Sequence, residues 1–543
     1  SFIVNTTTTG GTTSTAGGDF TATASTSMAN SSAYQSNGVT YNIGGKFSVN
    51  VATSGAAEWG FSTSTYLSTS PITAYGDLGV TATSTAAALS AANLHVSSAL
   101  TSTTGSVTLA NTSTGALSTN GVGALAITAA VSGATGVTIT NSSAHTATAS
   151  SQLGINSTAT SAITSSLGAI SISSTTNSTA FPVSLLGPLS ARTGITISAT
   201  GATTTTVATL SAITLTGAGS NLSVTANNTA AGANSGIRAL GAISLASGSG
   251  LSFVTNNLIT VNGAISVAAN NTGSSANLVF DTSTGTNASS VSLNGAITTV
   301  AVGTSQSGLR VLTKGAPIST TAGISLTGLI DFNNTVGLGV GVANAADGIS
   351  LSGVLTSTSG DITLVGRSSG AQGILTTGAS LITATTGNIS LTGSGTTGGV
   401  NLLAALSAGS GTKLRAITLA GNGTSGIGVT ASAAASLTAT GSLTVTGFST
   451  GSRGIELGGG VRSTLTGDVV LSGQGGAGLA GVYLRTNPLT VSGGNFTVQG
   501  ASLVGGIATA MPGTAATGGS YGFQVNTAPI SVSGEIDIRG QGT

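Results

Sequence analysis

The sequence repeats, and the repeat is too short and too rich in glycine for most folds. Taking the first apolar residue of each copy as a marker, Ile362, Ile389, Ile417, Leu443, Val469 and Phe496 follow one another at steps of 27, 28, 26, 26 and 27 residues. A second motif, glycine followed by apolar, variable, apolar, falls between the markers at "GVNL" 399, "GIGV" 426, "GIEL" 454 and "GVYL" 481. A third element precedes each marker, as in "SLTAT" at 436, "STLTG" at 463, "PLTVSG" at 488 and "PISVSG" at 529. Self-similarity at a fixed short period is the mark of a solenoid, in which each unit buries its apolar face only against its neighbours.

Each motif alternates apolar residues with Thr, Ser or Asn over four to six positions, which is the signal of a half-buried strand. Gly, Thr, Ser and β-branched residues disfavour helix throughout. Three strands per period, with no helical segment to carry a crossover, fit poorly into a sandwich whose strands must reverse. A chain that turns the same way at every corner instead stacks each strand on its equivalent one coil earlier. The expected fold is all-β: a parallel β-helix with three short strands per coil of about 26 to 28 residues, stacked about 4.8 Å apart. In "GSLTVTG", residues 441–447, Leu443 and Val445 then point inward, Thr444 and Thr446 outward, and Gly441 and Gly447 are expected at corners.

Upstream the spacing loosens. Ile297 to Ile324 is 27 residues and Ile324 to Ile349 is 25, but Ile349 to Ile362 is only 13, so two strands of one coil share a signature. "GITIS" at 194, "AITLTG" at 212, "GAISLA" at 241 and "GAISV" at 263 keep the pattern with uneven gaps, which implies connections of variable length. Residues 1–77 differ again, holding nine of the eighteen aromatics, among them Phe20, Tyr34, Tyr41, Phe47, Trp59, Tyr66 and Tyr75. Residues 1–100 therefore read as an N-terminal cap or irregular first coils, and 101–543 as the solenoid with an incomplete last coil.

Composition narrows the function classes. With 39% hydrophobic residues and a net charge of +1, the chain is not of the disordered, highly charged kind. Only 4% of residues are charged and the signs balance, so a basic track for nucleic acid is not expected. There is no cysteine, hence no disulfide framework and no thiolate metal site. No apolar run approaches the length of a transmembrane helix. From 78 to 191 there is no Asp, Glu, Lys or Arg at all, so hydroxyls and amides must carry solubility there. The start at Ser1, without methionine or a basic and apolar leader, suggests a processed product or an excised segment, and an exported protein is expected.

Candidates for chemistry are few. Asp361 and Asp468 occupy the corner position that Asn388 fills in another copy and read as turn residues accepting backbone hydrogen bonds. Glu535 and Asp537 flank inward Ile536 on an outer face beside Arg539. His95 and His145 are isolated and read as scattered surface histidines. Sequons such as those at Asn5, Asn111, Asn221 and Asn422 are what so Ser/Thr-rich a chain produces by chance. One outward row stands out as a candidate contact surface. If the second motif stacks in register, it contains Asn401, Gly428, Glu456, Tyr483 and Gln524, with Arg485 beside Tyr483, and Arg238 and Arg310 as upstream equivalents. An exposed aromatic beside polar groups suits carbohydrate or protein contact. No catalytic residue, cofactor or metal is assigned.

The units "GDITLVG" at 360, "GNISLTG" at 387 and "GSLTVTG" at 441 resemble the repeats of bacterial filamentous haemagglutinin-like exoproteins and autotransporter passenger domains, over roughly residues 100 to 543. The resemblance implies a right-handed parallel β-helix, a place outside the cell or on its surface, and a role as adhesin or matrix protein. The favoured expectation is a non-enzymatic extracellular structural or adhesive protein that self-associates end to end or meets cell-surface, matrix or glycan partners. The alternatives are a carbohydrate-binding or carbohydrate-active β-helix, and an ice-binding solenoid suggested by outward pairs such as Thr214 with Thr216 and Thr444 with Thr446.

Overall fold

The structure is a computed structural model that describes residues 2–5, 12–27, 33–37, 39–54, 61–62, 64–65, 68–69, 71–85, 88–89, 92–114, 117–118, 124–144, 154–176, 181–201, 206–229, 235–268, 277–285, 289–299, 308–335, 345–476, 478–485, 487–502, 521–526 and 528–542. It is a parallel β-solenoid with three strands per turn of about 28 residues and, among these residues, no helix. The chain divides into two compact units, Ser1–Ala268 and Ala269–Thr543.

Both units are built from three walls, each strand pairing in parallel with its equivalent one coil later. In the first unit the first wall runs from Phe2–Asn5 to Leu258–Val261, the second from Thr12–Ala16 to Ile265–Val267, and the third from Phe20–Thr26 to Gly250–Thr255. In the second unit the corresponding limits are Val291–Leu293 to Phe523–Val525, Ile297–Thr299 to Ile530–Val532, and Asn277–Asp281 to Ile536–Gly542. The markers Ile362, Ile389, Ile417, Leu443, Val469 and Phe496 form one column of the third wall, paired residue to residue and fully buried. Burying each such side chain stabilises by about 1.5–3 kcal/mol, which is why the alternation dictates the inner face. The irregular upstream spacing resolves the same way. Ile297 and Ile324 belong to the second wall, Ile349 to the first and Ile362 to the third, so only the step of 27 is a full coil.

Two motif positions need correction, one by two residues and the other by four, from Leu465 to Val461. The first-wall partner of Val400 is Val429, so the repeated unit is Gly428-Val429-Thr430-Ala431 and not "GIGV" from 426. The second-wall strand of the next coil is Val461–Ser463 and not the stretch beginning at 463. Alternation has a period of two, so an even slip leaves every side chain on its own face and the pattern cannot detect it.

The fourth residue after the marker in the third wall differs along the chain, being glycine only from Gly366 onward and buried Asn334 one coil earlier. In the second unit, Gly366, Gly393, Gly421, Gly447, Gly473 and Gly500 are paired in one column inside the third-wall strands. Gly447 is thus not a corner residue, as the sequence suggested, but the third inward position of Leu443–Ser449. A methyl group there would sit on the carbonyl oxygen of Gly454; at Gly473 it would meet that of Gly481, and at Gly393 that of Gly399. Two glycine columns therefore lie backbone against backbone, closer than any side chain allows.

In the first unit the same column carries side chains: Ala82, Asn111, Asn141, Ser174 and Ala199 follow in register. Asn111 and Asn141 are buried, and a ladder of amides joins them. Asn93 Nδ2 donates to Asn111 Oδ1 at 2.6 Å, Asn111 Nδ2 to Asn141 Oδ1 at 2.7 Å, and Asn141 Nδ2 to Ser174 Oγ at 3.1 Å. The sequon at Asn111 is consequently closed to a glycan in the folded chain, whereas Asn221 and Asn422 face outward.

The described aromatics of the N-terminal region occupy the same walls. Tyr34, Tyr41 and Phe47 are buried, and Phe20 stacks on Phe47 with centroids 5.0 Å apart and rings 7° from parallel. Burial, with Tyr41 close by, raises the Tyr34 hydroxyl far above its ordinary pKa. Tyr75, by contrast, is exposed. Trp59, Glu58, Tyr66 and His145 lie outside the described residues.

Candidate functional site

The corner before the third wall shows what four of the eleven carboxylates do. Asp361 Oδ1 accepts the backbone N–H of Asn388 at 2.7 Å, and Asn388 Oδ1 accepts that of Ala416 at 2.9 Å. Asp468 Oδ1 accepts from Asn495 N at 2.8 Å, and Asn495 Oδ1 from Glu535 N at 2.9 Å. Asp19 does the same for Lys46 N, and Asp77 for Ser106 N. Each short acceptor ties its coil to the next where the chain turns and the wall's own ladder is interrupted. The hydrogen bonds from the Ser106 backbone and hydroxyl hold the Asp77 carboxyl below its usual range. Asp537 pairs with Arg539 at 2.8 Å, both on the outer face of Ile536–Gly542.

The outward row of the first wall is partly as the sequence suggested. Asn401, Thr430, Glu456, Tyr483 and Gln524 follow in register, with Thr430 in the place the sequence reading had assigned to Gly428. Arg238 lies in the first wall of the first unit, exposed between Thr209 and Thr260. Arg310 is not equivalent to it: it belongs to the third wall, between Val279 and Asp331, and its Nε is 3.2 Å from Asp331 Oδ2.

The row is also less open than alternation implies. Glu456 is 7% exposed and Tyr483 9%, although both point away from the core. Two arginines cover them. Arg453 Nη1 lies 2.6 Å from Glu456 Oε2, and Arg485, from the corner after the strand, places Nη1 3.2 Å from Glu456 Oε1. The Arg453 guanidinium carbon stands 4.4 Å above the centre of the Tyr483 ring, a cation–π contact. Asn526 Nδ2 reaches the Tyr483 hydroxyl at 3.5 Å. Charge, aromatic face and hydroxyl are all engaged within the cluster, which clamps successive coils together.

No family model, curated protein or solved structure matches this chain. The surface itself must carry the functional reading, and its most regular feature is one the sequence reading missed. The three-residue strands of the second wall have a single outward residue each, and in the first unit that column, which follows Asn42 of Val39–Ile43, reads Thr73, Thr101, Ser132, Thr164, Ser190, Thr214, Ser244, Ser266. In the second unit it reads Thr298, Ser325, Thr356, Thr383, Ser407, Thr438, then Arg462, Thr490 and Ser531. Uneven gaps between coils hid this column, because equivalence is visible only once the strands are paired. The third-wall column of Thr444 is interrupted by Val470, and that of Thr446 by Ala420 and Gln499. The two-file threonine array that suggested ice binding is therefore broken on that wall.

Among the described residues no three His, Asp or Glu side chains converge as metal ligands would. His95 is half-buried on the outer face of the first wall, between inward Leu94 and Val96. Burial pushes its pKa below the ordinary 6.5, so the neutral ring is favoured in the fold. The unfolded chain takes up the proton first, so the contribution of His95 is complete above pH 6.5 and is lost as pH falls through the lower folded value. Urea unfolding of the wild type is expected to show a midpoint that falls as pH is lowered below 6.5, and His95→Gln to remove part of that slope. An unchanged slope in the variant would assign the pH response elsewhere.

Proposed function

We propose that this chain is a non-enzymatic structural or adhesive β-solenoid of the cell exterior. The carrying observation is how the chain spends its few ionisable groups: carboxylates close corners, Glu456 is clamped between two arginines, and the second wall presents hydroxyls coil after coil. A surface of this kind offers many weak, identical contacts rather than one reactive centre. The likeness of "GDITLVG", "GNISLTG" and "GSLTVTG" to bacterial exoprotein repeats supports the same reading.

The test is to label intact producing cells with antibody against the folded chain, before and after permeabilisation. Equal labelling without permeabilisation, with specific retention of the purified protein by cell-surface or matrix preparations, is the expected result. Labelling that requires permeabilisation, or catalytic turnover of polysaccharide or peptide by the purified chain, would overturn the proposal.

A further inference from the structure

The outer face of the third wall in the second unit carries a trough of about 660 Å³ across four consecutive strands. Its origin is the inner glycine column. Gly447, Gly473 and Gly500 lie against first-wall backbone, which draws the strand inward at that position, and the outward residues on either side become two banks. One bank is Thr446, Ser472, Gln499 and Arg539; the other is Phe448, Gln474 and Ala501. Phe448 is half-buried and is flanked in register by Asn422 on one coil and Gln474 on the other.

The lining selects among ligands. Amides and hydroxyls supply donors and acceptors together, which suits a partner carrying many hydroxyls. A phenyl face set between two amides offers an apolar platform with polar groups at its edges. Arg539, the one charged residue of the lining, is paired with Asp537 at 2.8 Å, so the trough has no spare charge for an acidic polymer. The bank positions recur once per coil, about every 4.8 Å, so an extended chain lying along the stack crosses a different polar or apolar side chain at each coil.

We propose that this trough binds a neutral polysaccharide, with a sugar ring stacked on Phe448 and hydroxyls bonded by Gln474 and Gln499. The inference adds a ligand class to the adhesive reading, and its failure would leave the localisation result above unaffected. The whole chain is titrated calorimetrically with cellohexaose, laminarihexaose, maltohexaose and chitohexaose, and with polygalacturonate as an acidic comparison. At least one neutral hexasaccharide is expected to bind, with affinity reduced about tenfold by Phe448→Ala and severalfold by Gln474→Ala or Gln499→Ala. Leu167→Ala, an exposed residue of the first unit outside the lining, is expected to leave binding unchanged, and circular dichroism confirms that each variant is folded. Absence of binding to every neutral hexasaccharide at millimolar concentration, preference for polygalacturonate, or full binding by folded Phe448→Ala would each overturn the proposal.

Discussion

A valine at position 473 is expected to be among the most damaging single changes this chain can carry. Gly473 has no open space on its inner side: a β-carbon there would fall on the Gly481 carbonyl and beside Val482. The obstacle is backbone, which cannot rotate away as a side-chain tip could, so the third and first walls must separate over at least one coil. Overpacking of this kind costs about 1–3 kcal/mol, and more where nothing can yield, so a loss of about 3 kcal/mol is expected. Because coils interact only with their neighbours, the damage concentrates near strands Val469–Gly475 and Val482–Leu484. Hydrogen exchange of those strands, together with urea unfolding, reads it. Thr444→Val serves as control, since Val470 already occupies the same outward column one coil on, and a shift within about 0.5 kcal/mol is expected. Wild-type protection in Gly473→Val would mean that the two glycine columns are not in contact.

Asn111→Ala is the second. Asn111 is 2% exposed and stands between two amides: it accepts from Asn93 and donates to Asn141. Truncation strands a buried donor on one side and a buried acceptor on the other, at about 1–3 kcal/mol for each. The combined loss is therefore about 2–6 kcal/mol, larger than the cavity alone would give. The ladder also predicts non-additivity. Asn111→Ala and Asn141→Ala share a hydrogen bond, so the double variant should lose less than the sum of the singles, with a coupling of about 0.5–3 kcal/mol. Strict additivity in a double-mutant cycle would show that the two amides act independently.

These two positions also show how far the sequence could be read. Leu443 and Val445 were assigned inward correctly, because apolar burial at every second residue leaves a direct trace. Gly447 was misplaced at a corner, since glycine is the usual turn residue and nothing local distinguishes a turn from a backbone-to-backbone approach. Asn111 looked like a sequon on a polar strand; its burial depends on Asn93 and Asn141, 18 and 30 residues away. Glu456 and Tyr483 were placed on the outward face, as parity demands, yet they are covered, because Arg453 and Arg485 fold back over them from neighbouring corners.

The sequence by itself determined the solenoid, its coil length and the inward or outward face of nearly every strand residue. All three follow from local alternation repeated at a near-constant interval, and hydrophobic burial enforces that alternation at each strand independently. Tertiary structure alone decided register, the wall to which a strand belongs, and what covers an outward side chain. Shifting "GIGV" by two residues or the strand at Val461 by four preserves each face, so only the hydrogen-bond ladder to the adjacent coil selects between alternatives. Arg238 and Arg310 stand in identical local sequence patterns but on different walls, because the walls differ in what they stack upon and not in their alternation.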